Sequence, residues 1–261
     1  MKQCLLLSAS MIIAAFMKSQ GFSVLYEADY KMVYKDQNVN PTSQEDTFAL
    51  LINTKASYYK NMKKYVEDSL KYEKRIHEKT DFWEGLRFIT DFPECIGTTS
   101  GKLYVTLPIG NKPFTYEETN SIKWQIVNEH QSLNGYRCQK AVTKKYGRTW
   151  IAWFTKDIPF PFGPYKFNKL PGLIVEVSDE NKDYIFSLYN FRKRTYFCRS
   201  ANMSPHASPV QKSKVFDHQR REIADPNNYN KLITDPETLS YVLKKARERA
   251  RHYNPIELSI D

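Results

Sequence analysis

Five histidines, His77, His130, His206, His218 and His252, are the first residues to ask for acid–base chemistry. His77 and His218 sit in charged stretches, His206 in a polar loop, His130 in a predicted turn and His252 in a predicted terminal helix. None stands with a carboxylate and a nucleophile in a local catalytic signature, and neither G-x-S-x-G nor H-E-x-x-H occurs. Triads also assemble from residues far apart in a chain. A hydrolase would need a cleft that brings an imidazole within hydrogen-bond reach of a nucleophile, and it is the last of three readings of this sequence.

Cys138 is the most tempting nucleophile by type, but no basic pocket can be identified to activate it, so a disulfide or a buried thiol is the expected role. No CxxC is present and no cysteine has a histidine at metal spacing, so neither a metal nor a cofactor is expected. Lys140 and Asp157 fall on adjoining predicted strands and would pair across them, an exposed contact of ~0.2–1 kcal/mol that marks no site. Lys166 either meets an anionic ligand at the mouth of the sheet or snorkels to the surface. Trp124, Trp150 and Trp153 either line a cavity or pack a core. Trp150 and Trp153 lie on opposite faces of one predicted strand, so at most one points inward.

The chain start bears on compartment. Lys2 precedes an apolar run from Cys4 to Met17, and Lys18-Ser19-Gln20 follows. That is the layout of a secretory signal peptide cleaved near Ser19, and the run is too short for the ~20 residues of a membrane span. An exported chain with Cys95, Cys138 and Cys198 would carry one bridge and one free thiol. Cys95–Cys138 is the preferred pair, since both follow a turn at the edge of an apolar strand. The 39 Lys+Arg against 29 Asp+Glu give a net charge of +10, lowered by two if Lys2 and Lys18 leave with the leader. Nucleic acid is excluded as a partner, because export and the lack of an aromatic-and-basic module argue against it. Solubility, an acidic partner or peripheral contact with an anionic membrane surface account for the charge.

The elements that must position these residues are mostly strands. Residues 24–35 and 47–59 alternate loosely, the second as one strand or two, and 61–79 reads as a solvated helix or an excursion. Short strands are predicted at 102–109, 112–119 and 122–128, the last with Ile122, Trp124 and Ile126 on one buried face. Residues 134–157 predict a hairpin turning at Tyr146-Gly147-Arg148, and 173–191 a second turning at 179–182. Strands joined by short turns predict a mainly β fold, a curved antiparallel sheet or half-barrel with peripheral helices. Residues 200–213 read as a loop and 235–254 as a helix, acidic at its start and basic at its end. The predicted division is leader 1–19, antiparallel β domain 20–195, and a C-terminal helical appendage 196–261 packed on the sheet.

Between the two hairpins runs DIPFPFGPYKFNKLPGLIVEV, residues 157–177. Pro159, Pro161, Pro164 and Pro171 each fix φ and remove a donor, so the segment cannot lie inside a regular sheet. Pro171-Gly172 fits the central pair of a type II turn. This stiff crossing holds Phe160, Phe162, Tyr165 and Phe167, which either cap one end of the sheet or form an apolar mouth.

Five ordered motifs run through this region: Trp124-x-Ile126, Gly135-Tyr136-x-Cys138-x-Lys140-Ala141, Ala152 to Pro159, Gly163-Pro164-x-Lys166-Phe167, and Leu170-Pro171-Gly172-Leu173-Ile174. Together they resemble the GLPGLI family of exported Bacteroidetes proteins, strongly over 120–191. Lys169 stands where the family motif has glycine. The resemblance implies a periplasmic or outer-membrane-associated protein without an assigned activity. It also implies a sheet similar to that of periplasmic lipoprotein carriers and genes beside TonB-dependent transporters. The leading expectation is a non-enzymatic binding protein, an accessory subunit of an outer-membrane protein complex. The alternative is a carrier of a lipid-like or peptide ligand. Trp124, Trp153, Phe160, Phe162, Tyr165, Lys166 and Phe167 are the expected contact residues. Gly135, Tyr136, Cys138, Pro159, Gly163, Pro164, Leu170, Pro171 and Gly172 are the structural motif. A cavity of a few hundred Å³ would favour the carrier, and a filled interior with an exposed aromatic patch the subunit.

Overall fold

A computed structural model describes residues 21–35, 42–73, 87–109, 112–202, 207–224 and 235–260. The predicted leader, His77 and His206 lie outside these residues. The strands are β1 (Phe22–Tyr34), β2 (Gln44–Ile52), β3 (Ser57–Asn61), β4 (Cys95–Thr98), β5 (Lys102–Ile109), β6 (Lys112–Thr119), β7 (Gln125–Leu133), β8 (Tyr136–Lys145), β9 (Arg148–Thr155), β10 (Leu173–Asp179), β11 (Tyr184–Cys198) and β12 (Ser208–Pro209). The helices are α1 (Met62–Asp68), α2 (Lys212–Ala224) and α3 (Pro236–His252), with a π-helical turn at Ser69–Glu73. The strands form one curved, unclosed sheet in the order β12-β6-β5-β4-β3-β2-β1-β11-β10-β9-β8-β7. Every pairing is antiparallel except the short β12–β6 contact.

The meander breaks once. β6 and β7 are sequential but lie far apart in strand order, so residues 120–124 cross from one side of the sheet to the other. The predicted strand over 122–128 therefore begins only at Gln125, and Ile126, expected on a buried face, is 47% exposed on the sheet edge. Ile122 is buried and Trp124 donates its Nε1–H to the Asn168 carbonyl at 2.8 Å. Both hairpins form where the turn residues predict them. Tyr146 and Gly147 take φ of 57° and 76°, the left-handed pair that joins twisted strands with a two-residue turn.

Alternation builds the main core. Ala28, Tyr30, Met32 and Tyr34 of β1 share one face with Phe48 and Leu50 of β2, and with Tyr184, Phe186 and Leu188 of β11. A smaller core on the opposite face holds Phe22, Val24, Ala49, Leu51, Tyr58 and Cys198, covered by Met62 and Tyr65. β1 serves both because its register shifts between Val24 and Tyr26, which turns the strand over.

All three described cysteines are free thiols. Cys138 lies in the main core, whereas Cys95 packs against the second core, so the preferred Cys95–Cys138 bridge is not formed. Burial pushes the Cys138 thiol up to about 11, which keeps it protonated and a poor nucleophile at neutral pH. Lys140 pairs with Glu129 at 2.8 Å instead of with Asp157.

Candidate functional site

The crossing from β9 to β10 folds down onto the concave face of the sheet. Phe162, Tyr165, Phe167 and Leu170 are buried, while Pro159, Pro161 and Pro171 are exposed, so three of its four prolines line its outside, with Pro164 buried among the rings. Phe162 and Asn168 bridge to each other, and the Ile174 amide donates to the Phe162 carbonyl at 3.1 Å. Tyr30 reaches up from β1 and donates its hydroxyl to the Ile174 carbonyl at 2.6 Å. The expected type II turn does not form: Gly172 takes φ of 157° and its amide donates to Leu170 two residues back. A Cβ on Gly172 would sit 1.9 Å from the Thr155 carbonyl oxygen, so close backbone approach explains this glycine.

These rings fill the interior over β8 to β11. Phe167 packs against Trp150 at 4.5 Å between centroids and against Phe186 at 6.2 Å. Phe160 is half-buried against Tyr26 at 4.9 Å, and Trp153 is half-buried with the Lys140 ammonium 6.0 Å from its ring. Of the seven expected contact residues, Phe162, Tyr165 and Phe167 lie in the main core, and Trp124, Trp153 and Phe160 pack against it.

Lys166 is placed differently from a mouth or surface lysine: it is 1% exposed. Its ammonium donates to Glu257 at 2.5 Å, to Tyr116 at 3.1 Å, and to Glu118. Burial opposes its charge, and Tyr116, Glu257 and Glu118 overcome that, holding the ammonium well above the usual lysine range. Glu257 also feels burial pushing it up, but Lys166 and Lys212 outweigh it and keep the carboxyl below its ordinary value. Lys212 of α2 lies 2.8 Å from the other Glu257 oxygen, and Tyr165 donates to Glu257 at 2.5 Å. This network fastens the chain end to the crossing. Arg148 fastens the same tail beside it, bonding Asp179 at 2.9 Å, Asn254 at 2.5 Å and the Pro255 carbonyl at 2.7 Å.

Next to the network, among the described residues, lies a cavity of about 570 Å³ that opens at an exposed rim and rests on β5 and β6. Val105, Leu107 and Ile109 of β5, with Tyr34, Tyr116 and Tyr184, form its sheet wall. Val215, Phe216 and Ile223 of α2 face them, and the tail closes one side with Tyr253, Ile256 and Glu257. Phe92, Pro93 and Glu94, just ahead of β4, form the remaining wall. Tyr165 is the one expected contact residue that lines it. His218 also lines it, with no hydrogen bond to a nucleophile among the described residues.

The sequence reading anticipated neither α2 nor the loop at Glu94. The available signal was Val215 and Phe216 within a charged stretch, one apolar turn that an amphipathic roof requires. For Glu94 the signal was a carboxylate in an apolar run, Phe92-Pro93-Glu94-Cys95-Ile96. Burial pushes its carboxyl up to about 7, against a lowering pull from its own backbone N–H and from Lys166.

A family model described as a protein of unknown function (Porph_ging) matches residues 145–176, that is, β9, the crossing and the start of β10. The comparison with curated proteins found no match. Among solved structures, PNGF-II in space group P21 is similar with a TM-score of 0.52 and 15% identity, over 75% of this chain and 33% of that one. PNGF-II in space group C2 gives 0.49 and 13%, over 86% and 33%. This chain thus spans about a third of PNGF-II, and at such identity the likeness concerns the fold. LolA superfamily protein NE2245 from Nitrosomonas europaea is a remote likeness, with a TM-score of 0.28 and 7% identity over 67% of this chain and 89% of that one. Among the described residues no helix is long and apolar enough to cross a membrane.

Proposed function

We propose that this is an exported envelope protein of GLPGLI type that binds a small amphiphilic ligand in the cavity between β5, β6 and α2. The observation that carries the reading is the cavity itself: about 570 Å³, walled by aliphatic and aromatic side chains, with a few polar groups at defined places. Pockets that hold small molecules run ~300–1,000 Å³ with this lining. The five-motif resemblance and the leader-like start support a periplasmic or outer-membrane-associated setting.

The test is displacement of the neutral fluorophore N-phenyl-1-naphthylamine by decanol from the full exported chain. One saturable site is expected, weakened about tenfold or more by Leu107→Trp, which drives an indole into the cavity. Binding that does not saturate, or that ignores Leu107→Trp, removes the reading.

Docking as an accessory subunit on an outer-membrane protein has its own support. β7 is an edge strand whose nine residues are almost all exposed, Ile126 among them, and among the described residues no strand pairs with its outer edge, which could accept another. Recovery of one stoichiometric barrel protein from native envelope, lost on Val127→Pro within β7, is the result this second reading requires.

A further inference from the structure

Polar groups in an apolar cavity select the ligand's head, and here the charges do not balance. Lys166 and Lys212 stand against Glu118 and Glu257 in one ion-paired network at the cavity's edge. Glu94 adds a third carboxylate, and among the described residues it has no ion-pair partner and no bond to another side chain. Once Glu94 ionises, the wall region therefore carries one negative charge with no ion-pair partner among the described residues, inside a chain whose net charge is +10, and a bound cation would favour that ionised form. The remaining charged groups on the lining are Asp91, Arg220 and Glu222, all exposed at the rim where water screens them, and half-buried His218. An anionic head would meet Glu94 and Glu257 on the wall, whereas a cation would supply what Glu94 lacks.

Ring faces complete the argument. Tyr34, Tyr116, Tyr165, Tyr184 and Phe92 all line the cavity. Two of them already attend a cation: the Lys166 ammonium lies 5.3 Å from the Tyr116 ring and 5.4 Å from the Tyr165 ring. Aromatic quadrupoles attract ammonium groups, most strongly at depths where water is displaced, and these rings lie on the sheet side of the cleft, away from its exposed rim.

Resting on the amphiphile-binding reading above, we propose that the ligand's head is cationic, an amine or quaternary ammonium seated against the Glu94 carboxylate with its tail along Val105, Leu107 and Ile109. The probes are decyltrimethylammonium, decanol and decanoate below their micelle concentrations, each displacing the same fluorophore from the full exported chain. The cation is expected to bind about tenfold more tightly than decanol, and decanoate more weakly than decanol. Glu94→Gln should erase that order while decanol binding stays within about twofold. Glu129→Gln, which removes one charge on the distant β7 edge, should leave the order intact. Equal affinities for the three probes, or a cation preference that survives Glu94→Gln, overturn the proposal. If decanol itself fails to bind, it is the amphiphile reading that has failed; if decanol binds and only the preference is missing, the failure is confined to the cationic head.

Discussion

The two halves of the concave face solve the same problem in opposite ways. Over β8 to β11 the crossing supplies its own filling, Phe162, Phe167 and Leu170 laid against Trp150, Phe154 and Phe186. Over β5 and β6 no described segment descends to fill the space; α2 and the tail arch above Val105 and Leu107 and leave about 570 Å³ unfilled. Dispersion contacts hold one half rigid, and the other forgoes them until something enters. At the seam stand Tyr165, Lys166 and Glu257, with Tyr165 and Glu257 facing both halves. The segment whose prolines and rings dominate the sequence thus builds the filled half. The space for a ligand falls to strands and a helix whose sequences look ordinary.

The sharpest way to break this comparison is at the seam. Lys166→Met removes a cation from a buried network and leaves Glu118 and Glu257 with Lys212 as their one cation among the described residues. Losing one partner of such a network costs about 3–5 kcal/mol, measurable as a fall in urea midpoint. Adding Glu257→Gln should restore part of that loss, since one stranded carboxylate is gone. A single-variant loss under about 1 kcal/mol would mean that water, and not the protein, solvates the ammonium.

Truncations then compare the halves directly. Phe167→Ala should cost about 3–5 kcal/mol, because close-packed rings on three sides leave the hole no way to collapse. Leu107→Ala borders space that is already empty, and should fall at the lower end, about 2 kcal/mol. Equal losses would show that the two halves are packed alike.

Much of the filled half was legible in the sequence. Period-two patterning and turn residues located both hairpins, β5 and β6, and the prolines identified a segment that could not be sheet. What the sequence could not show was which way the rings of that segment faced. Cap and mouth remained equal until Tyr30 and Phe186 were seen to meet them from below. Residues 120–124 misled because Ile122 and Trp124 alternate as a strand does, yet they follow a crossover whose need arises only from the strand order. The cavity half was less legible still. Its walls come from β5, residues 91–94, α2 and the tail, segments joined only by tertiary contact. Lys166 read as a mouth or surface lysine because its partners, Glu118 and Glu257, are 48 and 91 residues away.

Glu94 offers a smaller effect that sharpens the contrast, since a ligand site tolerates a group that a packed core would not. Its carboxyl rises from the ordinary 4.5 to about 7 on folding. The folded state therefore holds the proton more tightly than the unfolded chain, and stability falls as pH rises from 4.5 towards 7, the cost being complete above that window. Because the side chain is half-buried, that cost is about 1–2 kcal/mol instead of the full conversion of the shift. Glu94→Gln should thus unfold later than the parent at pH 8 and match it at pH 4 in thermal melts. A gain that is the same at both pH values would assign the effect to something other than this ionisation.

The smallest effect lies at the rim of the filled half. Lys169 takes φ of 69°, a left-handed conformation that favours glycine, at the position where the motif it resembles has glycine. Its side chain gives something back, since the ammonium donates to the Asn120 carbonyl at the start of the crossover. Lys169→Ala loses that bond and keeps the backbone strain, whereas Lys169→Gly loses the bond and relieves the strain. Glycine also gains entropy in the unfolded chain, which works against it. Left-handed backbone costs a residue with a Cβ roughly 1–2 kcal/mol, so the glycine variant should exceed the alanine variant by about 1 kcal/mol in urea unfolding. Alanine equal to or better than glycine would mean that the crossing does not impose a left-handed residue there. The rigidity assigned to this half would then have to come from ring packing alone.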